Sequence, residues 1–220
     1  MTAPVFIIPG DAIKDLYPNG APMRETMIAG PSNSEVFSPA FIKARAAYHN
    51  ESEAEYAEKV IGALPQKDKL LSEELTLVFG FEAFCQMNLL TILAYLAQLG
   101  RELPVTIKLI DEFKGNQELR SFAFSAFQNA EHWYRTLLIE KKAFKSDPLL
   151  WPEMKKAAAL FLTLQEEQNE ITDIIDENAA LSENALVRLL LSWDKDYGLS
   201  DDIFLSLIRT RRAQTQKANL

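Results

Sequence analysis

The sequence predicts an α/β protein: a mostly parallel N-terminal sheet with flanking helices over residues 1–114, then an all-helical region over residues 115–220 that packs on it or caps it. Three observations predict this. Short apolar runs, Val5-Phe6-Ile7-Ile8, Leu75-Thr76-Leu77-Val78-Phe79 and Val105-Thr106-Ile107-Lys108-Leu109-Ile110, end in glycine or acidic breakers, as buried parallel strands do. Helical patterns separate these runs, which gives the β-α-β order of a parallel sheet. Beyond Gly115 the apolar residues recur at helical spacing, as in Ala126, Ala130, Trp133, Leu137 and Lys141 with its long aliphatic stem.

Taken in order, the first strand over residues 5–8 is stopped by Pro9-Gly10-Asp11, where Asp11 is placed to cap a short helix through Leu16. Tyr17-Pro18-Asn19-Gly20 is a turn, and a second strand is expected over residues 25–29, ahead of Gly30-Pro31. Ser38-Pro39 reads as the N-cap and first residue of a helix to about Tyr48. Another helix opens at Asn50-Glu51-Ser52-Glu53 and is stopped by Pro65. The central strand follows, then Gly80-Phe81, then a helix from Glu82 to Leu99 that Gly100 closes. The next strand ends at Asp111-Glu112. Helices are then expected over residues 119–145, 148–164, 171–177, 183–193 and 201–212, with Ser182 and Ser200 capping the last two.

Composition narrows the function. The 220 residues are 48% apolar and 25% charged, which is ordinary for a globular chain. A net charge of −8 argues against a general nucleic-acid binder. Cys85 is the one cysteine, so no disulfide forms within the chain, and with His49 and His132 as the only histidines no Cys/His zinc cluster can be built. The first basic residue, Lys14, comes after the apolar run 5–8, so a secretory leader is not expected, and no run approaches the roughly 20 residues that span a bilayer. The cytoplasm is the expected compartment. Acidic residues gather between Lys156 and Arg188 without a Lys or Arg among them, which reads as a solvated helix face, and Arg209-Thr210-Arg211-Arg212 reads as a frayed helix end whose cations suit its own C-terminal dipole.

Chemistry is expected at the carboxyl ends of the parallel strands, where open α/β sheets bind ligands. That edge collects Asp11 after the first strand, Glu82 after the central one and Asp111 at the end of the next. Helix N-termini there have free N–H groups that favour an anion. Glu82, Cys85, Gln86 and Leu89 share one helix face, so a polar first turn runs into an apolar stripe and Glu82 and Gln86 are set where core meets crevice. Cys85 reads first as a small buried hydrophobe. Gly10-Asp11-Ala12 lacks the glycine spacing of dinucleotide and P-loop motifs, and no Gly-x-Ser-x-Gly elbow is present.

Several of these segments occur together in a known order. Ile7-Ile8-Pro9-Gly10-Asp11 is followed by Arg24-Glu25 and Gly30-Pro31, then by Val78-Phe79-Gly80-Phe81-Glu82-Ala83-Phe84-Cys85-Gln86-Met87-Asn88-Leu89-Leu90 and by Ile110-Asp111-Glu112-Phe113. In this the chain resembles the bacterial proteins catalogued as domain of unknown function 1835, over about residues 4–113 and more loosely beyond. It departs from them at Glu82-Ala83, where they often have a His-Asp type pair, and at Met23, where they often have Trp. The resemblance implies a fold and a site location, with no established activity.

The expectation is therefore a protein that binds a small polar or anionic, nucleotide-like ligand at the strand ends, lined by Asp11, Arg24, Glu25, Glu82, Gln86, Asn88 and Asp111. Arg24 is the member suited to phosphate or carboxylate. Two other classes stand beside it. One is a magnesium-dependent phosphoester hydrolase with Asp11, Glu82 and Asp111 on the metal. The other is a non-catalytic interaction or regulatory protein, forming a homo-oligomer or meeting a protein partner through the helical region, whose last two helices have helix-turn-helix proportions through Tyr197-Gly198.

Overall fold

The computed structural model describes residues 4–111, 114–145 and 147–218. The strands are β1 (Val5–Ile8), β2 (Ala21–Pro22), β3 (Leu75–Gly80), β4 (Val105–Asp111) and β5 (Gln117–Phe124). They form one sheet in the order β2-β1-β3-β4-β5, parallel except for the antiparallel β4–β5 pair. The helices are α1 (Pro39–His49), α2 (Glu53–Tyr56, extended by a π-helical turn Ala57–Ile61), α3 (Lys67–Ser72), α4 (Ala83–Gln98), α5 (Phe127–Tyr134, extended by a π-helical turn Arg135–Ile139), α6 (Pro152–Thr163), α7 (Glu170–Glu177), α8 (Glu183–Trp193) and α9 (Asp201–Ala218). Among the described residues no helix is long and apolar enough to cross a membrane.

Alternation along the strands splits the core in two. Ile7, Leu77, Phe79, Ile107 and Leu109 face the main core, and Ile8, Val78 and Ile110 turn the other way onto Ile13, Phe6 and Tyr17. The connection from β1 to β2 thus covers the second face. α4 lies at the centre of the main core, packed on β3, α5 and α6, and Leu89, Leu90, Leu93, Ala94 and Leu96 are all buried. An apolar surface on every side suits only a helix enclosed on every side.

Four expectations need correction. The second strand is at Ala21–Pro22 and not over 25–29. There, Asn88 accepts from the Met27 N–H and donates to the Glu25 carbonyl, so a side chain on α4 takes the place of a strand partner. Residues 11–16 form successive turns and no helix, and the Asp11 carboxylate is taken up by Arg24. The long helix over 119–145 is a strand followed by a shorter helix, so the C-terminal half is not all helix. Phe122 and Phe124 of β5 lie opposite Ile107 and Val105 of β4, a two-residue alternation that the helical reading overlooked. Finally, the arginines of α9 are not a frayed end: Arg211 binds the Asp176 carboxylate, and Arg212 donates to the carbonyls of Ala179 and Leu181 just past α7. They serve the C-terminus of a neighbouring helix and neutralise part of the acidic stretch. The Ser38 cap is as expected, and α2 opens within the expected segment Asn50-Glu51-Ser52-Glu53, on a capping box of Ser52 and Glu55. Glu112 and Phe113 lie outside the described residues.

Candidate functional site

β1 is flanked by β2 on one side and β3 on the other, so strand order reverses between β1 and β3. Chains leaving adjacent strands in opposite directions part and leave a crevice at their carboxyl ends. Here the crevice is a cavity of about 490 Å³. Pro9, Gly10, Asp11 and Ala12 line it from the end of β1, and Glu82, Phe84 and Cys85 from the bend and first turn of α4. The C-terminal half closes it: Leu191 of α8 and Asp194, Gly198 and Leu199 of the α8–α9 connection complete the wall.

The local sequence explains how these pieces fit. Glu82 is the N-cap residue of α4 and only 4% exposed. A side chain at Gly80 would run into the Glu82 carboxylate and the Cys85 sulfur, so glycine there lets Glu82 fold back over the strand end. Gly198 has φ +68° and its Cα lies so near Glu82 that an added Cβ would stand 2.8 Å from the Glu82 Cβ. The connection is shaped by Asp194, whose Oδ1 accepts from the N–H groups of Asp196 (3.1 Å) and Tyr197 (2.8 Å) and whose Oδ2 accepts from Leu199 (2.9 Å). This arrangement also corrects the expected anion site at the start of α4. The Ala83 N–H donates to the Asp196 carbonyl and the Phe84 N–H to the Tyr197 carbonyl, both at 2.8 Å, so these donors are already engaged.

The expected site residues fall into separate groups. Asp11 and Glu82 share the cavity. Arg24 lies beside it, holding Asp11 through Nε (2.7 Å) and Nη2 (3.0 Å), and that hydrogen bonding lowers the Asp11 pKa. Gln86 is fully buried in the core, donating to the Gly80 carbonyl (2.6 Å) and accepting from the Trp151 indole (2.8 Å). Asn88 is tied to the backbone of residues 25 and 27 as described above. Asp111 accepts the Lys114 N–H and pairs with that side chain. Among the described residues no three His, Cys, Asp or Glu side chains are placed to hold a metal ion, so Asp11, Glu82 and Asp111 do not assemble the expected magnesium site.

Glu25 anchors a different cluster. Its carboxylate accepts from Arg45, His49, the Tyr56 hydroxyl and the Thr26 N–H. Arg45 donates in addition to the carbonyls of Thr26, Ala29 and Pro31, so one guanidinium fastens the 25–31 segment to α1. Burial alone would raise the Glu25 pKa; the His49 hydrogen bond and the Arg45 charge outweigh it and pull it down to about 2. Burial, with Glu25 beside it, pushes the Tyr56 phenol well above its ordinary value.

The sequence reading missed the residues from the C-terminal half. Asp194-Lys195-Asp196-Tyr197-Gly198 did carry a signal, an aspartate placed to accept from N–H groups two or more residues on and a glycine for the left-handed turn. Arg45, His49 and Tyr56 carried none beyond helical spacing. Searches of protein-family models, curated proteins and solved structures each find no match for this chain.

Proposed function

We propose that the chain binds a small polar ligand in the cavity between the ends of β1 and β3, with Glu82 and Asp11 as the groups that select it and Asp194 shaping the wall. The observation that carries this reading is the position of the cavity: it lies at the reversal of strand order, outside the carboxyl ends of the strands. Among the described residues its lining includes three acidic residues and no Lys or Arg. Such a wall favours a ligand that presents hydrogen-bond donors or positive charge, an amine or the hydroxyl and amino edges of a nucleoside. It disfavours a phosphate, since the nearest N–H groups of α4 are engaged and carboxylates line the wall. A likeness to domain of unknown function 1835 is part of this proposal, because the segments that carry the likeness include both sides of the crevice.

A thermal-shift screen against amines, amino acids, nucleosides, nucleotides and sugar phosphates tests the reading, repeated on Glu82→Gln. A ligand at 100 times its dissociation constant adds about 2.7 kcal/mol to the folded state. Stabilisation by an amine or nucleoside that disappears in Glu82→Gln supports the site. Stabilisation by phosphates that survives in the variant moves the ligand elsewhere on the molecule.

A further inference from the structure

α7, α8 and α9 are locked to one another. Arg209 pairs with Glu183 at 3.0 Å, Arg211 holds Asp176, and the Tyr197 hydroxyl donates to Glu170 at 2.7 Å. Arg211 also reaches the Glu167 carbonyl and the Gln168 side chain, so those residues belong with the helices that follow. These contacts all lie within residues 167–211, and they bind the three helices into one cap. The apolar side of the cap shares the main core, and among the described residues its polar ties to the rest of the molecule are two hydrogen bonds and an ion pair: Ala83 N–H to the Asp196 carbonyl, Phe84 N–H to the Tyr197 carbonyl, and Lys156 of α6 to Asp196. All three converge on two adjacent residues, in a loop that Asp194 keeps in shape.

We propose that α7–α9 open as one body about residues 164–166, with Asp196 and Tyr197 as the latch that closes the cavity. Opening breaks the ties at the latch and leaves the cap's own polar contacts whole, as expected of a hinged cover over a binding cleft. Gly198 is the close-contact point of the latch. A methyl group there would press on the Glu82 side chain and hold the two parts apart.

Amide hydrogen exchange reads this motion without any ligand, so its outcome is separate from that of the ligand screen. The Ala83 and Phe84 amides report the latch, Leu90 and Leu93 in the middle of α4 report global unfolding, and Tyr197 and Leu199 report the integrity of the cap. We expect Ala83 and Phe84 to exchange at least 100-fold faster than Leu90 and Leu93, at rates that match each other, with Tyr197 and Leu199 still protected. Gly198→Ala is expected to speed Ala83 and Phe84 by at least a further 10-fold; if it does not fold, Lys156→Ala, which removes the ion pair, replaces it with a smaller rise. Equal protection along α4, or loss of protection at Tyr197 and Leu199 together with Ala83, overturns the proposal. Fraying of α4 alone is separated by a distance measurement between spin labels on Leu103→Cys and Leu181→Cys, two exposed positions, with Cys85→Ala. A second, longer distance that grows in Gly198→Ala supports the hinge, and a single unchanged distance refutes it.

Discussion

Replacing Glu25 with Gln removes the one negative charge in a buried cluster and leaves the Arg45 guanidinium fully enclosed beside a neutral amide. The size of the loss follows from the carboxyl itself. Its pKa falls from the ordinary 4.5 to about 2 on folding, a difference of about 2.5. At about 1.36 kcal/mol per pH unit this is about 3 kcal/mol of stability at neutral pH. It agrees with the roughly 3–5 kcal/mol that breaking a buried ion pair costs. Because the folded pKa is the lower one, the contribution is complete above about 4.5 and fades as pH falls towards about 2. Urea unfolding of both proteins at pH 7, 5, 4 and 3 measures it. We expect a gap of about 3 kcal/mol at pH 7 that is nearly unchanged at pH 5 and clearly smaller at pH 3. A gap below about 1 kcal/mol at pH 7, or one that stays constant down to pH 3, would refute the reasoning.

Three further outcomes follow from the same contacts. Gly30→Ala should cost about 1–3 kcal/mol in urea unfolding, because φ is +80° and a Cβ would stand 2.7 Å from both Arg45 Nη1 and the Tyr48 ring. Gln86→Leu should cost about 1–3 kcal/mol and alter the near-ultraviolet circular dichroism of Trp151, whose buried indole N–H loses its acceptor. Asp194→Asn should cost about 1–3 kcal/mol, because an amide can keep the Asp196 and Tyr197 N–H groups on its oxygen only by turning a donor towards Leu199; its unfolding midpoint and the exchange of the Leu199 amide check this.

What was legible in the sequence is what depends on neighbours along the chain. The Ser38-Pro39 start, the helix opening at residues 50–53, the Gly100 stop and the apolar strands β1, β3 and β4 are local signals, and they stand in the structure where the sequence puts them. The crevice was expected from the β-α-β pattern and the carboxyl ends of its parallel strands, without their order in the sheet, and Asp11 and Glu82 do share it. The failures are tertiary. Residues 25–29 read as a strand until a side chain 61 positions away claims their backbone groups. β5 has exposed polar positions that fit a helix as well as an edge strand. Gln86 and Asn88 are polar and near the crevice in sequence, yet each is spent on a buried internal contact, which no spacing rule separates from ligand binding.

The cavity is also assembled from stretches far apart along the chain. Its walls come from residues 9–12, 82–85 and 191–199, so the third set is translated more than a hundred residues after the second. Domains form from the N-terminus onward during synthesis. The sheet through β4 therefore emerges with the first turn of α4 open to water, its N–H groups waiting for carbonyls more than a hundred residues downstream. A chain that stops short of Leu199 has the strands and the central helix but no closed site. Closure of the cavity thus depends on a stretch made more than a hundred residues after the helix turn that it seals.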